Sequence, residues 1–359
     1  MRYLLPANST LIVKGPAALA LTSGEASVLA APLNKSQCLV IPQEKQIPVE
    51  AKSEVDLDLK VRVGGEITEI DGSSLPKSWK TAVESLEAMG RGIAMIIGPT
   101  DVGKSTLCTY IVNQLLNRRI RLQVVDADIG QADIGPPTTV ASAIPSLPVP
   151  SLTELRPERI VFVGHTSPSI VQSKVINGIQ RTMTDSKVLV VINTDGWILD
   201  PEAIRYKISL ISAIKPDIVV AMGPEVALRP ILDTTRTMQV SAEASQAILP
   251  RSRNDRKKIR EAAYRRFLQG SAIQTLPMND WRIKLRASIR ESFSRRESRL
   301  NNIIVGLLDE ESYMLRVGVL LGMERNSLQL YCSSPDQATS LEFGYVRLSI
   351  DGLELGFVD

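Results

Sequence analysis

The stretch "AMIIGPTDVGKSTLC", residues 94–108, decides the fold. Ala94–Ile97 is an apolar run that reads as a buried strand. It enters "GPTDVGKS", which fits Gly-x-x-x-x-Gly-Lys-[Ser/Thr], and Leu107, Ile111 and Leu115 then recur at helical spacing. A glycine-rich turn between a strand and a helix start lets backbone N–H groups wrap phosphates, and the helix dipole adds positive potential. Gly98, Pro99, Thr100, Asp101, Val102, Gly103, Lys104, Ser105 and Thr106 are therefore the candidate cradle for a nucleoside triphosphate. Lys104 is expected to reach the β- and γ-phosphates, and the Ser105 hydroxyl to bind Mg²⁺. The loop alone leaves the fate of the γ-phosphate open between water and an acceptor molecule.

Working outward, the chain alternates strands and helices from residue 91. The apolar strands are "IAMIIG", "RLQVVDAD", "RIVFVG", "KVLVVINT" and "DIVVAMG". Buried strands alternating with helices predict an α/β fold, a P-loop NTPase parallel sheet with helices on both faces. Ligands of such sheets sit at the carboxyl ends of the strands. Residues 1–78 instead show short alternating runs such as "STLIVKG" and "DLKVRV", which predict a small N-terminal β domain. The helical pattern of "LPKSWKTAVESLEAM" leads into a P-loop domain over 79–275. The runs "NIIVGLLD", "MLRVGVLLGM", "SLQLYCS" and "GYVRLSIDG" predict a C-terminal β domain over 276–359.

Composition narrows the class. A length of 359 residues calls for two or three domains, and 44% hydrophobic residues supply a real core. A net charge of +3 is too small to imply nucleic-acid binding by itself. Cys38, Cys108 and Cys332 make no zinc spacing, which points to a reducing, intracellular, cytoplasmic setting. The N-terminus does not read as a signal peptide, and no apolar run approaches the ~18 residues of a membrane span. Aromatics are only 4%, so each of the three tryptophans is informative.

The strand ends carry the chemistry. "VVDADIGQ" puts Asp126 and Asp128 on one side of a strand that directly follows the phosphate-loop helix. A carboxylate there holds Mg²⁺ or accepts a proton from an attacking hydroxyl, whereas nearby Gln131 could orient water, so this feature leaves kinase and switch both open. A bland aspartate turn is the competing reading. His165, the only histidine, lies in "GHTSPS" after the next strand; a lone histidine is more often structural, but a strand-end loop is a functional place. The absence of a second histidine and of a Ser/His/Asp set argues against histidine-based hydrolysis. Trp197 in "NTDGW" is either a core anchor or a flat surface for a base, worth about 1–3 kcal/mol. No Asn-Lys-x-Asp element follows a later strand, which weakens a GTPase reading and favours ATP.

The basic stretch "PRSRNDRKKIREAAYRRFLQG" reads as a helix. A solvated charged face is the ordinary explanation of such a run. A mobile lid that brings arginines to a transferring phosphoryl group, or a surface for a nucleic-acid backbone, also fits.

Taken together, these motifs resemble the polynucleotide 5′-hydroxyl kinases, a family that includes the kinase subunit of eukaryotic pre-mRNA cleavage complexes, the pre-ribosomal-RNA processing kinase and archaeal single-chain relatives. "GPTDVGKST", "DADIGQ", "GHTSP", "NTDGW" and "RSRNDR" are all similar to the family's segments, and the resemblance covers nearly the whole chain. It implies that Asp128 is the catalytic and metal-site carboxylate, with Gln131 beside it. Thr194, Gly196 and Trp197 would clasp the acceptor's 5′ end, with His165 also on the RNA side. Arg251 and Arg256 would be the paired lid arginines. Many eukaryotic members carry Glu where this chain has Asp126. The implied activity is transfer of the γ-phosphate of ATP, with Mg²⁺ or another divalent cation, to the 5′-hydroxyl of single-stranded RNA, with DNA a weaker acceptor. The alternatives are an ATP-bound assembly subunit without transfer activity and a nucleotide-switch NTPase.

Overall fold

Alternating apolar and polar residues near the N-terminus form two antiparallel sheets. One runs in the order Arg2–Leu5, Val55–Val61, Ala17–Ser23, Cys38–Ile41, and the other Ala31–Pro32, Ala26–Val28, Gln46–Ala51, Ser9–Lys14, Glu66–Asp71. Along Ala17–Ser23, Ala17, Leu19 and Leu21 are buried, as period-two patterning requires. These features come from a computed structural model that describes residues 1–35, 37–184, 188–245, 248 and 250–358. The chain divides into two units. One comprises Met1–Val124, Ile144–Leu155 and Asp185–Asp255, the other Val125–Ala143, Arg156–Thr184 and Arg256–Asp359.

In the first unit, the helix Lys77–Met89 buries Trp79, Ala82, Val83 and Leu86. The Trp79 indole Nε1 donates to the Glu243 carbonyl at 2.8 Å, so this tryptophan is a core anchor. Beyond it, Leu189–Thr194, Gly92–Ile97, Ile218–Met222 and Met238–Ala242 lie side by side, all parallel. Ala94, Met95, Ile96 and Ile97 are all buried. Consecutive strand residues point to opposite faces, so both faces are covered. The helices Lys104–Asn117, Pro201–Ile214 and Glu225–Leu232 alternate with these strands. The sequence thus folds as the α/β P-loop sheet it predicts, although Met238–Ala242 was not among the expected strands. Lys187, the first residue of the expected strand "KVLVVINT", lies outside the described residues.

The strand Leu122–Ala127 passes from the first unit into the second. There it is followed by Thr139–Ala143 and Arg159–Phe162, which pair antiparallel. The expected all-parallel order therefore fails at "RIVFVG". Its predecessor, "TVASA", has too little apolar bulk to announce itself. The segment between them carries four prolines and a single 3₁₀ turn, Leu152–Glu154, so no crossover helix brings the chain back in parallel.

The C-terminal sheet runs Ala272–Pro277, Ser327–Cys332, Met314–Met323, Ile303–Leu308, Ser340–Leu348, Arg282–Lys284, and Glu354–Phe357 pairs with Ser340–Leu348. It is antiparallel except for Arg282–Lys284. Leu307, Leu320, Leu330 and Phe343 fill its core. Among the described residues no helix is long and apolar enough to cross a membrane.

Candidate active site

In the first unit, the phosphate loop closes on Gly103, whose φ of 96° lies in the left-handed region that glycine tolerates. The helix Lys104–Asn117 starts at the next residue, so its first amides open onto the loop. Lys104 is nearly buried, and its Nζ donates to the Pro99 carbonyl at 2.8 Å, which holds the ammonium over the loop. Ser105 Oγ accepts from Asn193 Nδ2 at 3.1 Å. Asn193 stands one residue before Thr194 at the carboxyl end of its strand, so the neighbouring strand fixes the orientation of the Ser105 hydroxyl.

"NTDGW" is built from below. Thr194 is buried, and its hydroxyl donates to the Ile96 carbonyl at 2.8 Å, tying this strand end to the one that feeds the phosphate loop. Gly196 lies against that loop: a Cβ there would come within 2.6 Å of the Thr100 amide nitrogen. Asp195 is buried and bonded to Lys207 Nζ at 2.8 Å, and its other carboxylate oxygen accepts from the Trp197 amide at 3.0 Å. Trp197 is half-buried. Its Nε1 donates to Asp200 at 2.6 Å, and its ring stacks on Tyr206 with centroids 5.8 Å apart. Arg251 is held through its backbone, which donates to Asp101 of the phosphate loop at 3.2 Å.

In the second unit, Asp126 is buried and accepts from the amides of Asp133 (2.7 Å), Ile134 (3.1 Å) and Asp128 (3.3 Å). It wires the following loop into shape. Burial, with the charges of Asp133 and Asp128, raises its carboxyl to about 7, while the Asp133 and Ile134 amides pull the other way. Asp128 is half-buried, and its Oδ1 accepts from the amides of Gly130 and Gln131 at 3.2 and 2.9 Å. Gln131 Nε2 donates to the Gly130 carbonyl at 2.7 Å and to the Arg256 carbonyl at 3.2 Å.

Arg256 belongs to the helix Arg253–Phe267, which the sequence predicts. The later part of this helix is anchored by a two-pronged pair, Arg260 to Glu354, at 2.6 and 2.8 Å. His165 stacks on Phe357, with centroids 4.9 Å apart, and meets Tyr345 edge-on at 5.2 Å. Its Nδ1 accepts from the Ser167 amide at 2.8 Å and lies 3.2 Å from the Ser167 carbonyl. Burial lowers its pKa below the usual 6.5, against a hydrogen bond to the Ser167 carbonyl that favours the protonated ring, and the Arg286 charge lowers it further.

The sequence-predicted residues thus fall into two sets. The first unit gathers Gly98–Thr106, Thr194, Gly196, Trp197 and Arg251; the second gathers Asp126, Asp128, Gln131, His165 and Arg256. Residues 98–270 match the family model of the mRNA cleavage and polyadenylation factor CLP1 P-loop. Over a longer span, the chain is 27% identical to a polyribonucleotide 5′-hydroxyl-kinase of Pyrococcus horikoshii, covering 80% of this chain and 94% of that protein. A polyribonucleotide 5′-hydroxyl-kinase of Methanocaldococcus jannaschii is 26% identical, covering 74% and 89%. A CLP1 homolog of Culex quinquefasciatus is 25% identical, covering 64% and 57%. The fold matches a solved structure of the wild-type Clp1p–Pcf11p complex with a TM-score of 0.75 over 97% of each chain at 12% identity.

Around the phosphate loop, sequence reading misses the supports. Asn193 stands inside the quoted "NTDGW", yet nothing marks it as the partner of Ser105. No motif singles out Lys207, and its burial against Asp195 follows only from the fold. Tyr345 and Phe357 lie in a region read solely as strands.

Proposed function

We propose that this chain transfers the γ-phosphate of ATP to the 5′-hydroxyl of single-stranded RNA, less well of single-stranded DNA, in RNA processing or repair. The names of the archaeal relatives support the activity. One structural observation carries it furthest: the loop bearing Asp128 is bonded, through Gln131, to the backbone of Arg256 in the basic helix. An arginine-bearing helix fastened to a carboxylate loop suits a lid that closes over a phosphoryl group and excludes water.

In this reading, the loop amides and Lys104 hold the triphosphate. Ser105 and Asp128 are the residues that would hold Mg²⁺. Their oxygens are hard donors, and a small donor set suits an ion that keeps waters and substrate phosphates as its other ligands. The ion, when bound, neutralises charge on the β- and γ-phosphates. The acceptor 5′-oxygen attacks the γ-phosphorus, the bond to the β,γ-bridging oxygen breaks with its electron pair leaving on ADP, and Asp128 takes the hydroxyl proton. Arg251 and Arg256 stabilise charge on the transferring group. Gln131 and His165 line the acceptor side. Thr194 and Gly196 hold "NTDGW" against the phosphate loop so that Trp197 stacks the terminal base. The setting is cytoplasmic.

Mass spectrometry of a 5′-hydroxyl oligoribonucleotide after incubation with ATP and Mg²⁺ tests this. Gain of one phosphate at the 5′ end is expected. ADP formed with the oligomer unchanged would indicate an NTPase, and neither product an assembly subunit.

A further inference from the structure

The second unit holds a layered group of which the proposed chemistry uses only His165. The Arg286 guanidinium lies 3.8 Å above the Tyr345 ring centroid. Tyr345 meets His165 edge-on, and His165 stacks on Phe357 with an interplanar angle of 25°. In a chain with 4% aromatics, such a concentration calls for a reason. Core packing does not supply one for Phe357, which is 52% exposed although one side of its ring is taken by His165.

The group is also close to the proposed catalytic loop. His165 follows the strand Arg159–Phe162 at its carboxyl end. A Cβ on Gly130 would come within 2.7 Å of the Thr166 carbonyl, so the loop bearing Asp128 packs directly on the loop bearing His165. Arg286 donates to the carbonyls of Gly344 and Val358 and, through Nε, to the Ser288 hydroxyl, which fixes its guanidinium beside the rings.

We propose that the Phe357–His165 stack, with Arg286 beside it, is a second base-binding platform, taking a nucleotide downstream of the reacting 5′ end of a single-stranded acceptor. The proposal rests on the kinase reading for the identity of the acceptor. A ring open to solvent on one side offers a π-face to any base, and the fixed positive charge of the neighbouring guanidinium favours the phosphate that every nucleotide carries. The platform is therefore tolerant of sequence but sensitive to acceptor length. A nucleoside 3′-monophosphate is too short to engage it, whereas a hexaribonucleotide is long enough.

The test is fluorescence anisotropy with a labelled 5′-hydroxyl hexaribonucleotide, which needs no phosphate transfer. Phe357→Ala and Phe357→Leu should each weaken binding about tenfold, the scale of one stacked base. Phe357→Trp should restore it, and the KM for a nucleoside 3′-monophosphate should not move in any of the three. Wild-type affinity in Phe357→Leu would overturn the platform, because leucine keeps the apolar bulk without the π-face. Equal loss in the Trp variant would overturn it as well, and so would a wild-type protein that does not bind the hexamer. Phe357-dependent binding without phosphate transfer would sink the kinase reading and leave the platform standing.

Discussion

Asp101, in the middle of the phosphate loop, accepts a hydrogen bond from the backbone N–H of Arg251 at 3.2 Å. The two residues are 150 positions apart, so the fold fastens the start of the proposed lid to the loop that cradles the triphosphate. A hydrogen bond to a charged group contributes about 1.5–3 kcal/mol. If that bond positions Arg251 for transfer, Asp101→Ala should lower kcat about ten- to a hundredfold while the KM for ATP changes far less. Steady-state kinetics decide it. An unchanged kcat would mean that the contact only shapes the loop.

The buried pair beneath "NTDGW" gives a stability prediction. Lys207 is fully buried, and its ammonium is bonded to both the carboxylate and the carbonyl of Asp195. Lys207→Met strands a charge in the interior, which should cost about 3–5 kcal/mol in urea unfolding. The double variant Asp195→Asn/Lys207→Met should recover much of that loss, since no uncompensated charge remains. A single variant within about 1 kcal/mol of wild type would show that the pair is not what holds the loop.

His165 is the only histidine, so its titration can be followed without assignment. Its folded-state pKa lies below the ordinary 6.5, chiefly because it is buried. The sign follows by linkage. Between the folded and unfolded values the unfolded chain binds more protons, so stability rises with pH there. The contribution is fully present above 6.5 and is lost as pH falls through the folded value. An NMR titration of the imidazole protons should therefore give a midpoint below 6.5, and His165→Phe should remove this rising contribution, leaving the opposite slope that the raised Asp126 carboxyl supplies over the same interval. A midpoint at or above 6.5 would contradict the described environment.

Trp197 separates acceptor from donor. Its indole is oriented by Asp200 and Tyr206, not enclosed by the core as Trp79 is. Trp197→Ala should raise the KM for a 5′-hydroxyl oligoribonucleotide about tenfold, while ATP binding measured by calorimetry stays near wild type. Equal loss of both would make Trp197 an anchor for the loop.

Local signals account for what the sequence reveals. "AMIIGPTDVGKSTLC" combines an apolar run, a glycine-rich turn and helical periodicity, and each is visible within a few residues. The strand ends carrying Asp128, His165 and Trp197 follow from the same alternation. What stays hidden is set by distant contacts. Asp101 finds Arg251, and Trp79 finds Glu243, only after the parallel strands align. "TVASA" lacks the bulky β-branched run that marks a buried strand, so it gave no warning that "RIVFVG" would pair antiparallel. Phe357 lies in a four-residue strand whose pattern says nothing about the histidine it covers.

The central claim is that the γ-phosphate goes to a polynucleotide end and not to water. The most direct measurement follows the label of γ-labelled ATP in the presence of Mg²⁺ and a 5′-hydroxyl oligoribonucleotide, with wild-type protein and with Arg256→Ala. Wild type should place the label on the oligomer, and Arg256→Ala should slow that transfer by up to ~10³-fold, the scale of arginine-finger losses. Label released as free phosphate, or transfer by Arg256→Ala at the wild-type rate, would contradict the account.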